Sequence, residues 1–155
     1  MCFSISCLTQ RKALCWWAVD DTLRIGRLRL KPIATVVNGI TKMPECSWKE
    51  IESKLVFLDE YVDGLHRLKE CKRIWVIFGL HHNRGWESRV RPRNAEDDSL
   101  VGVFASRASR RPNRLGLTLV DLIDVQGNTA TVTGLDAFDG TPVYDIKNFD
   151  ADYDA

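Results

Sequence analysis

A chain of 155 residues, 45% hydrophobic and 28% charged, is sized for one ordinary globular domain and leaves no room for two independent cores. Its 22 basic and 21 acidic side chains give a formal charge of +1, which excludes a global field for nucleic acid or membrane and leaves only a local stripe to serve that purpose. The cysteines Cys2, Cys7, Cys15, Cys46 and Cys71 are odd in number and include no C-x-x-C pair, so they argue against a disulfide framework or zinc knuckle and fit reduced thiols in the cytoplasm.

Residues 1–23 carry apolar patches interrupted by Arg11 and Lys12, short of the ~20 residues of a membrane span and without the basic start of a signal peptide. They read as an appendage (a frayed arm, a dimer-contacting arm or residues upstream of the true start) to a domain over residues 24–155. The first strand is predicted at residues 33–37, a β-branched run entered through Lys31-Pro32 and left through Asn38-Gly39. Ser47 is placed to cap a short turn through Trp48 and Glu50, after which residues 54–58 (KLVFL) return to strand and Asp63-Gly64 marks a turn.

Residues 73–80 (RIWVIFGL) form the strongest core strand, short, β-branched and aromatic, and belong in the middle of a sheet. Residues 84–99 are polar, rich in arginine and broken by Pro92, as in an edge strand or surface loop, and a short apolar run follows at 101–104. Residues 115–125 and 129–135 flank Gln126-Gly127-Asn128 and predict a hairpin; a last strand at 142–146 follows the Asp139-Gly140 turn. Short strands without long amphipathic helices between them predict a mainly β barrel or sandwich in a single domain, with a few helical turns. With no Gly-x-Gly-x-x-Gly after any strand, a Rossmann-type nucleotide site has no support.

Chemistry concentrates in three places. His81 and His82 end the strongest strand; with only His66 besides them and no carboxylates at ligand spacing, no metal site is expected. The segment 84–114 holds eight arginines (Arg84, Arg89, Arg91, Arg93, Arg107, Arg110, Arg111 and Arg114) against four acids, whereas the stretch from Asp136 holds six aspartates and one lysine. The arginines suit bidentate phosphate contacts and stacking on bases, or equally a solvated loop paired with the acidic tail. Ser106 and Ser109 lie in no nucleophile motif, so hydrolase chemistry is set aside. In Arg111-Pro112-Asn113-Arg114-Leu115-Gly116, Pro112 fixes the backbone and Gly116 allows a close approach, as in a loop moulded around a ligand or another chain, or the segment is an ordinary turn between two strands. The 136–141 loop gathers Asp136, Asp139, Gly140 and Thr141, suited to ribose hydroxyls or a cation, or to a plain strand connection.

Residues 101–117 (VGVFASRASRRPNRLGL) and 134–147 (GLDAFDGTPVYDIK) resemble the two signatures of the TrmO (YaeB-like) tRNA-modification family, usually GVFATR followed by RPNPIGL, and GLDxxDGTPVLDIKPY. Phe78-Gly79-Leu80-His81 stands where that family commonly has Phe-x-Phe-His, and the likeness spans roughly residues 30–149. The resemblance implies a compact β-barrel, a homodimer, and methylation of the exocyclic amino nitrogen of threonylcarbamoyladenosine in tRNA with S-adenosylmethionine. It places the cofactor at His81, His82, Arg107, Leu117, Asp136, Asp139, Gly140 and Thr141, and names no catalytic residue. The RNA would lie on Arg84, Arg89, Arg91, Arg93, Arg110, Arg111 and Arg114, in a cytoplasmic protein with neither metal nor membrane partner. Three departures stand out: Arg114-Leu115 for Pro-Ile, Asn148-Phe149 for Pro-Tyr, and no clear counterpart of an early proline-arginine-glutamine loop around Pro44-Glu45-Cys46. A non-catalytic RNA- or nucleotide-binding β-domain with the same pocket is the competing expectation.

Overall fold

The computed structural model describes residues 30–92 and 99–155; the predicted appendage over residues 1–23 and the candidate Arg93 lie outside the described residues. The described residues form eight strands: β1 (Ala34–Val37), β2 (Glu52–Phe57), β3 (Arg73–Gly79), β4 (Arg89–Val90), β5 (Val101–Gly102), β6 (Leu115–Gln126), β7 (Thr129–Thr133) and β8 (Pro142–Asn148). Six of them close a barrel in the order β1-β2-β7-β6-β3-β8, and β4 and β5 form a separate two-stranded ladder. Every pairing is antiparallel, including the one that returns β8 to β1 through Ala34↔Val143 and Thr35↔Pro142.

The alternation of side chains along a strand explains the closure. Ser53, Leu55 and Phe57 of β2 point inward with Ile74, Val76 and Phe78 of β3, while their neighbours face outward. Val36, Val120, Val132, Leu135 and Val143 complete a core in which these side chains are essentially removed from water. β3 sits between β6 and β8, as its apolar run requires, and a closed barrel leaves it no free edge. The hairpin is formed by a turn of Gly127 and Asn128 joining Gln126 to Thr129, with Gly127 at φ +57°.

Several boundaries differ from the sequence expectation. β8 continues beyond residue 146 because its ladder with β3 extends to Asn148 opposite Ile74. β7 ends at Thr133, where Gly134 (φ +89°) turns the chain and donates its N–H to the Ile51 carbonyl at 3.3 Å. Asp63-Gly64 is not an isolated turn but the interior of a 3-10 segment, Asp59–Leu65. The run at 101–104 contributes only Val101–Gly102 as strand, followed by a 3-10 turn over Val103–Ala105, and it joins β4 outside the barrel. Ser47 does cap the Trp48–Glu50 turn, its Oγ accepting from the Lys49 amide at 3.3 Å. A short helix, Ala151–Asp154, absent from the sequence reading, is capped by Asp150 accepting from the Asp152 amide.

A bulge interrupts β6 between Leu122 and Asp124. Lys69 Nζ lies 2.7 Å from Asp124 Oδ1 and Gln126 donates to Oδ2 at 2.7 Å. With Lys69 first, then Gln126 and the Val125 amide, these donors hold the Asp124 carboxyl down at about 2. Cys46 and Cys71 are free thiols, and no helix among the described residues is long and apolar enough to cross a membrane.

Candidate functional site

The end of β3, the start of β6, the loop after β5 and the segment after β7 meet around one cleft of about 1360 Å³. The pairing Gly79↔Leu115 puts the β3 exit beside the β6 entrance, and the Leu80 amide donates to the Arg114 carbonyl at 2.8 Å to extend that seam by one rung. His81, His82, Arg107, Leu117, Asp136 and Thr141 all line the cleft, so residues separated by as much as sixty positions in the chain share one space.

A polar chain crosses the floor. Arg107 Nη2 donates to the Leu117 carbonyl at 2.6 Å and reaches Thr118 Oγ1 at 3.4 Å. The Thr118 hydroxyl, buried, donates in turn to Asp136 Oδ1. Arg107 and Asp136, both exposed, are thereby positioned through a residue from the strand between them, and each keeps polar capacity facing the cleft.

An aromatic row forms one wall. Trp48 meets Phe138 edge-on at 5.8 Å, Phe138 meets His82 edge-on at 5.8 Å, and His82 lies against His81 with ring centroids 3.8 Å apart. His81 Nδ1 is 3.4 Å from the Gly79 carbonyl, an acceptor only, so this contact favours the tautomer that carries its proton on Nδ1.

Asp139 and Gly140 are placed differently from Asp136 and Thr141. Asp139 Oδ1 accepts from the amides of Asn38 at 2.8 Å and Gly39 at 2.9 Å, contacts that hold its carboxyl below the usual carboxylate range, Gly39 contributing most. The Gly140 amide donates to the Val36 carbonyl at 2.8 Å. Neither residue lines the cleft; together they clasp the 136–141 loop to the end of β1, with Gly140 in the left-handed region at φ +75°. Gly116 likewise makes its close approach to the chain's own Phe78, whose ring occupies the place of a side chain.

The arginines divide into two groups. Arg110 pairs with Glu87, Arg111 Nη1 donates to the carbonyls of Val103 at 3.1 Å and Ser106 at 3.0 Å, and Arg114 Nη1 reaches the Asn83 carbonyl at 3.4 Å. These three brace the loop on which they sit. Arg84 and Arg89 are exposed and carry no ion pair or side-chain hydrogen bond within the described residues; Arg91, also exposed, lines the cleft. Arg114 adopts φ +50°, a conformation closed to proline, so the backbone here differs from that of a chain with Pro in this place. Among the described residues no three His, Cys, Asp or Glu side chains gather as a metal site would require.

Met43, Trp48, Thr118 and Phe138 also line the cleft, and the sequence reading passed over all four as site residues. Thr118 and Phe138 stand inside or one residue past the two signature segments, which is a usable signal; Met43 and Trp48 come from the early segment and carry none.

Comparison with known proteins gives the chain's family. Residues 33–155 match the family described as the tRNA-methyltransferase O N-terminal domain. An Archaeoglobus fulgidus protein named as an S-adenosyl-L-methionine-binding protein is 33% identical over 129 residues, covering 81% of this chain and 91% of its own. A mouse protein named as a tRNA (adenine(37)-N6)-methyltransferase is 32% identical over 161 residues, 97% of this chain but 36% of its own. A crystal structure of TrmO superposes with a TM-score of 0.68 at 28% identity, covering 83% of this chain and 60% of that one, and TrmO from Pseudomonas aeruginosa gives 0.66 at 26%, covering 83% and 58%. The chain thus spans about a third of the mouse relative and somewhat under two thirds of these solved structures. By its closed six-stranded barrel and a match that takes in both signature segments, the chain belongs to the tRNA-methyltransferase O N-terminal domain family.

Proposed function

We propose that the chain is an S-adenosylmethionine-dependent methyltransferase acting on tRNA, at the exocyclic amino nitrogen of threonylcarbamoyladenosine beside the anticodon. The observation that carries this reading is the convergence of both signature segments and the paired histidines on one cleft of about 1360 Å³. Relatives named for binding the cofactor and for methylating tRNA adenine support it. The residues fit the cofactor in kind: Trp48, Phe138 and His82 offer ring surfaces to an adenine, Asp136 an acceptor for ribose hydroxyls, and Arg107 a guanidinium for an amino-acid carboxylate. Asp139 and Gly140 serve the same loop from behind, by clasping it to β1.

When bound, the cofactor supplies a methyl group already activated on a sulfonium centre, so the protein's task is alignment rather than covalent catalysis. Arg107, Thr118 and Asp136 do this as a unit, since each is hydrogen-bonded to the next. The attacking nitrogen must shed a proton, and His81, His82, Glu87 and Asp136 line the cleft as groups with the capacity to receive it. The tRNA backbone is held by Arg84, Arg89, Arg91, Arg93, Arg110, Arg111 and Arg114, the braced members acting mainly by shaping the loop. The protein works as a cytoplasmic homodimer.

A second reading, cofactor binding without methyl transfer, is favoured by the fact that the chain covers 91% of the archaeal binding protein and 36% of the mouse methyltransferase. One experiment separates the two. The protein is incubated with methyl-labelled S-adenosylmethionine and tRNA from cells lacking the modification, and the tRNA is digested to nucleosides. Label in threonylcarbamoyladenosine is the expected result; calorimetric cofactor binding with no labelled nucleoside establishes the second reading instead.

A further inference from the structure

We infer that the β4–β5 ladder is an RNA-binding flap on which unpaired bases stack on Trp86 and Phe104 while Arg84 and Arg89 take the adjoining phosphates. The ladder stands outside the barrel and pairs Arg89 with Gly102 and Val90 with Val101. The Val103 amide donates to the Ser88 carbonyl at 3.1 Å, which carries the alignment one step further toward Trp86 and Phe104. Both aromatic residues therefore sit at the same end of the flap. Buried Val90 and Val103 give the flap an apolar underside, and the Arg110–Glu87 pair with the two bonds from Arg111 fix its loop.

The outer surface is what calls for a partner. Trp86 is 56% exposed and Phe104 76% exposed, large rings that leave most of their surface in water. The Arg111 guanidinium lies 5.9 Å from the Phe104 ring centroid, while Arg84 and Arg89 are without a side-chain partner among the described residues. Exposed rings near guanidinium groups that have no ion pair among the described residues match what a single-stranded nucleic acid presents, base faces joined by phosphates, and guanidinium groups repel a second copy of the same surface. The flap borders the cleft directly: Glu87, Val90 and Arg91 line it from this side. Bases flanking a target nucleotide in the cleft would lie within reach of the flap. The inference rests on the reading of the chain as a tRNA-modifying enzyme and assigns it a surface for the unpaired loop of that RNA.

The test uses the full chain, a fluorescently labelled RNA hairpin with an unpaired loop, and a duplex of the same stem without a loop. Trp86→Ala with Phe104→Ala should weaken hairpin binding by about tenfold or more per ring and leave duplex binding nearly unchanged, while Trp86→Tyr with Phe104→Tyr restores most of it. Arg84→Gln with Arg89→Gln should weaken both RNAs and lower the slope of log affinity against log salt by about two. Calorimetric affinity for S-adenosylhomocysteine should be unaltered in every variant, which separates loss of the flap from loss of the fold. Equal hairpin binding by wild type and the double alanine variant overturns the inference while leaving the methyltransferase reading intact. Conversion of a dimer to a monomer by the same substitutions, with RNA affinity preserved, overturns it in favour of a contact between copies. Failure of the wild-type protein to bind either RNA removes the underlying functional reading as well.

Discussion

A methyl group on Gly116 would fall 2.4, 2.5 and 2.9 Å from three atoms of the Phe78 ring, the residue directly across the β3–β6 ladder. Unstrained carbon contacts are about 3.5–4.0 Å, so Gly116→Ala demands a retreat of about 1 Å by a ring that is 2% exposed and held inside the barrel. Overpacking of this kind costs about 1–3 kcal/mol. For a domain of this size each kcal/mol lowers Tm by roughly 3–6 °C, so the variant should melt roughly 3–18 °C below wild type by calorimetry. Because Phe78 also lines the cleft, the displaced ring should weaken cofactor binding in the protein that still folds. A double-mutant cycle isolates the cause: Phe78→Leu destabilises the wild-type background, yet should cost markedly less or even help when Gly116 is alanine. Equal costs of Phe78→Leu in both backgrounds would refute the idea that the ring excludes a side chain. Lost cofactor affinity at unchanged Tm would show instead that the glycine serves the ligand.

Gly140→Ala meets no atom within 4 Å but must hold φ +75°, so it should cost about 1 kcal/mol of stability and leave cofactor affinity intact by calorimetry. Asp139 has its carboxyl pKa depressed in the folded state by the Gly39 and Asn38 amides, so its contribution is present above the unfolded value and fades as pH falls through the folded one. The Tm gap between wild type and Asp139→Ala should therefore be widest near neutrality and narrow in acid; a gap independent of pH would mean that the charge is not what matters. Carboxyl NMR titration should place Asp124 at about 2, and Lys69→Met should move it back toward the ordinary range. Arg107→Ala removes the donors to Leu117 and Thr118 and should weaken S-adenosylhomocysteine binding at least tenfold with little change in Tm, the side chain being exposed.

Much of the barrel is legible in the sequence because its strands announce themselves locally. β3 combines β-branched and aromatic residues in a short bounded run, and the Gly127-Asn128 turn lies between two alternating segments. Closure is not legible, since the pairing of Ala34 with Val143 leaves no mark on the periodicity of either strand. The site divides along the same line. His81, Arg107 and Asp136 stand within or beside recognisable segments, whereas Trp48 looks in sequence like any half-buried aromatic, and only the fold brings it against Phe138. Asp139 illustrates the converse: an acid in a promising loop spends an oxygen on two backbone amides far upstream, a contact no spacing rule anticipates. The arginine-rich segment likewise mixes braces such as Arg111 with groups such as Arg84 that have no ion pair among the described residues, a distinction that composition does not make.

Joining the first barrel strand to the last has a consequence for how the protein comes into being. The clasp between Asn38 and Asp139 links residues 101 positions apart, and β1 finds its second neighbour only in β8. A nascent chain emerging from the ribosome can form the β6–β7 hairpin and its pairing with β2 while β1 and β3 each still expose a bare edge. The final strand alone quenches both edges, so commitment to the native state falls late in synthesis, and refolding should be slow for a chain of this length. A pause or truncation before residue 142 would leave an open sheet with a bare, β-branched edge strand at each end, β1 at one and β3 at the other, making such fragments prone to aggregation and to degradation.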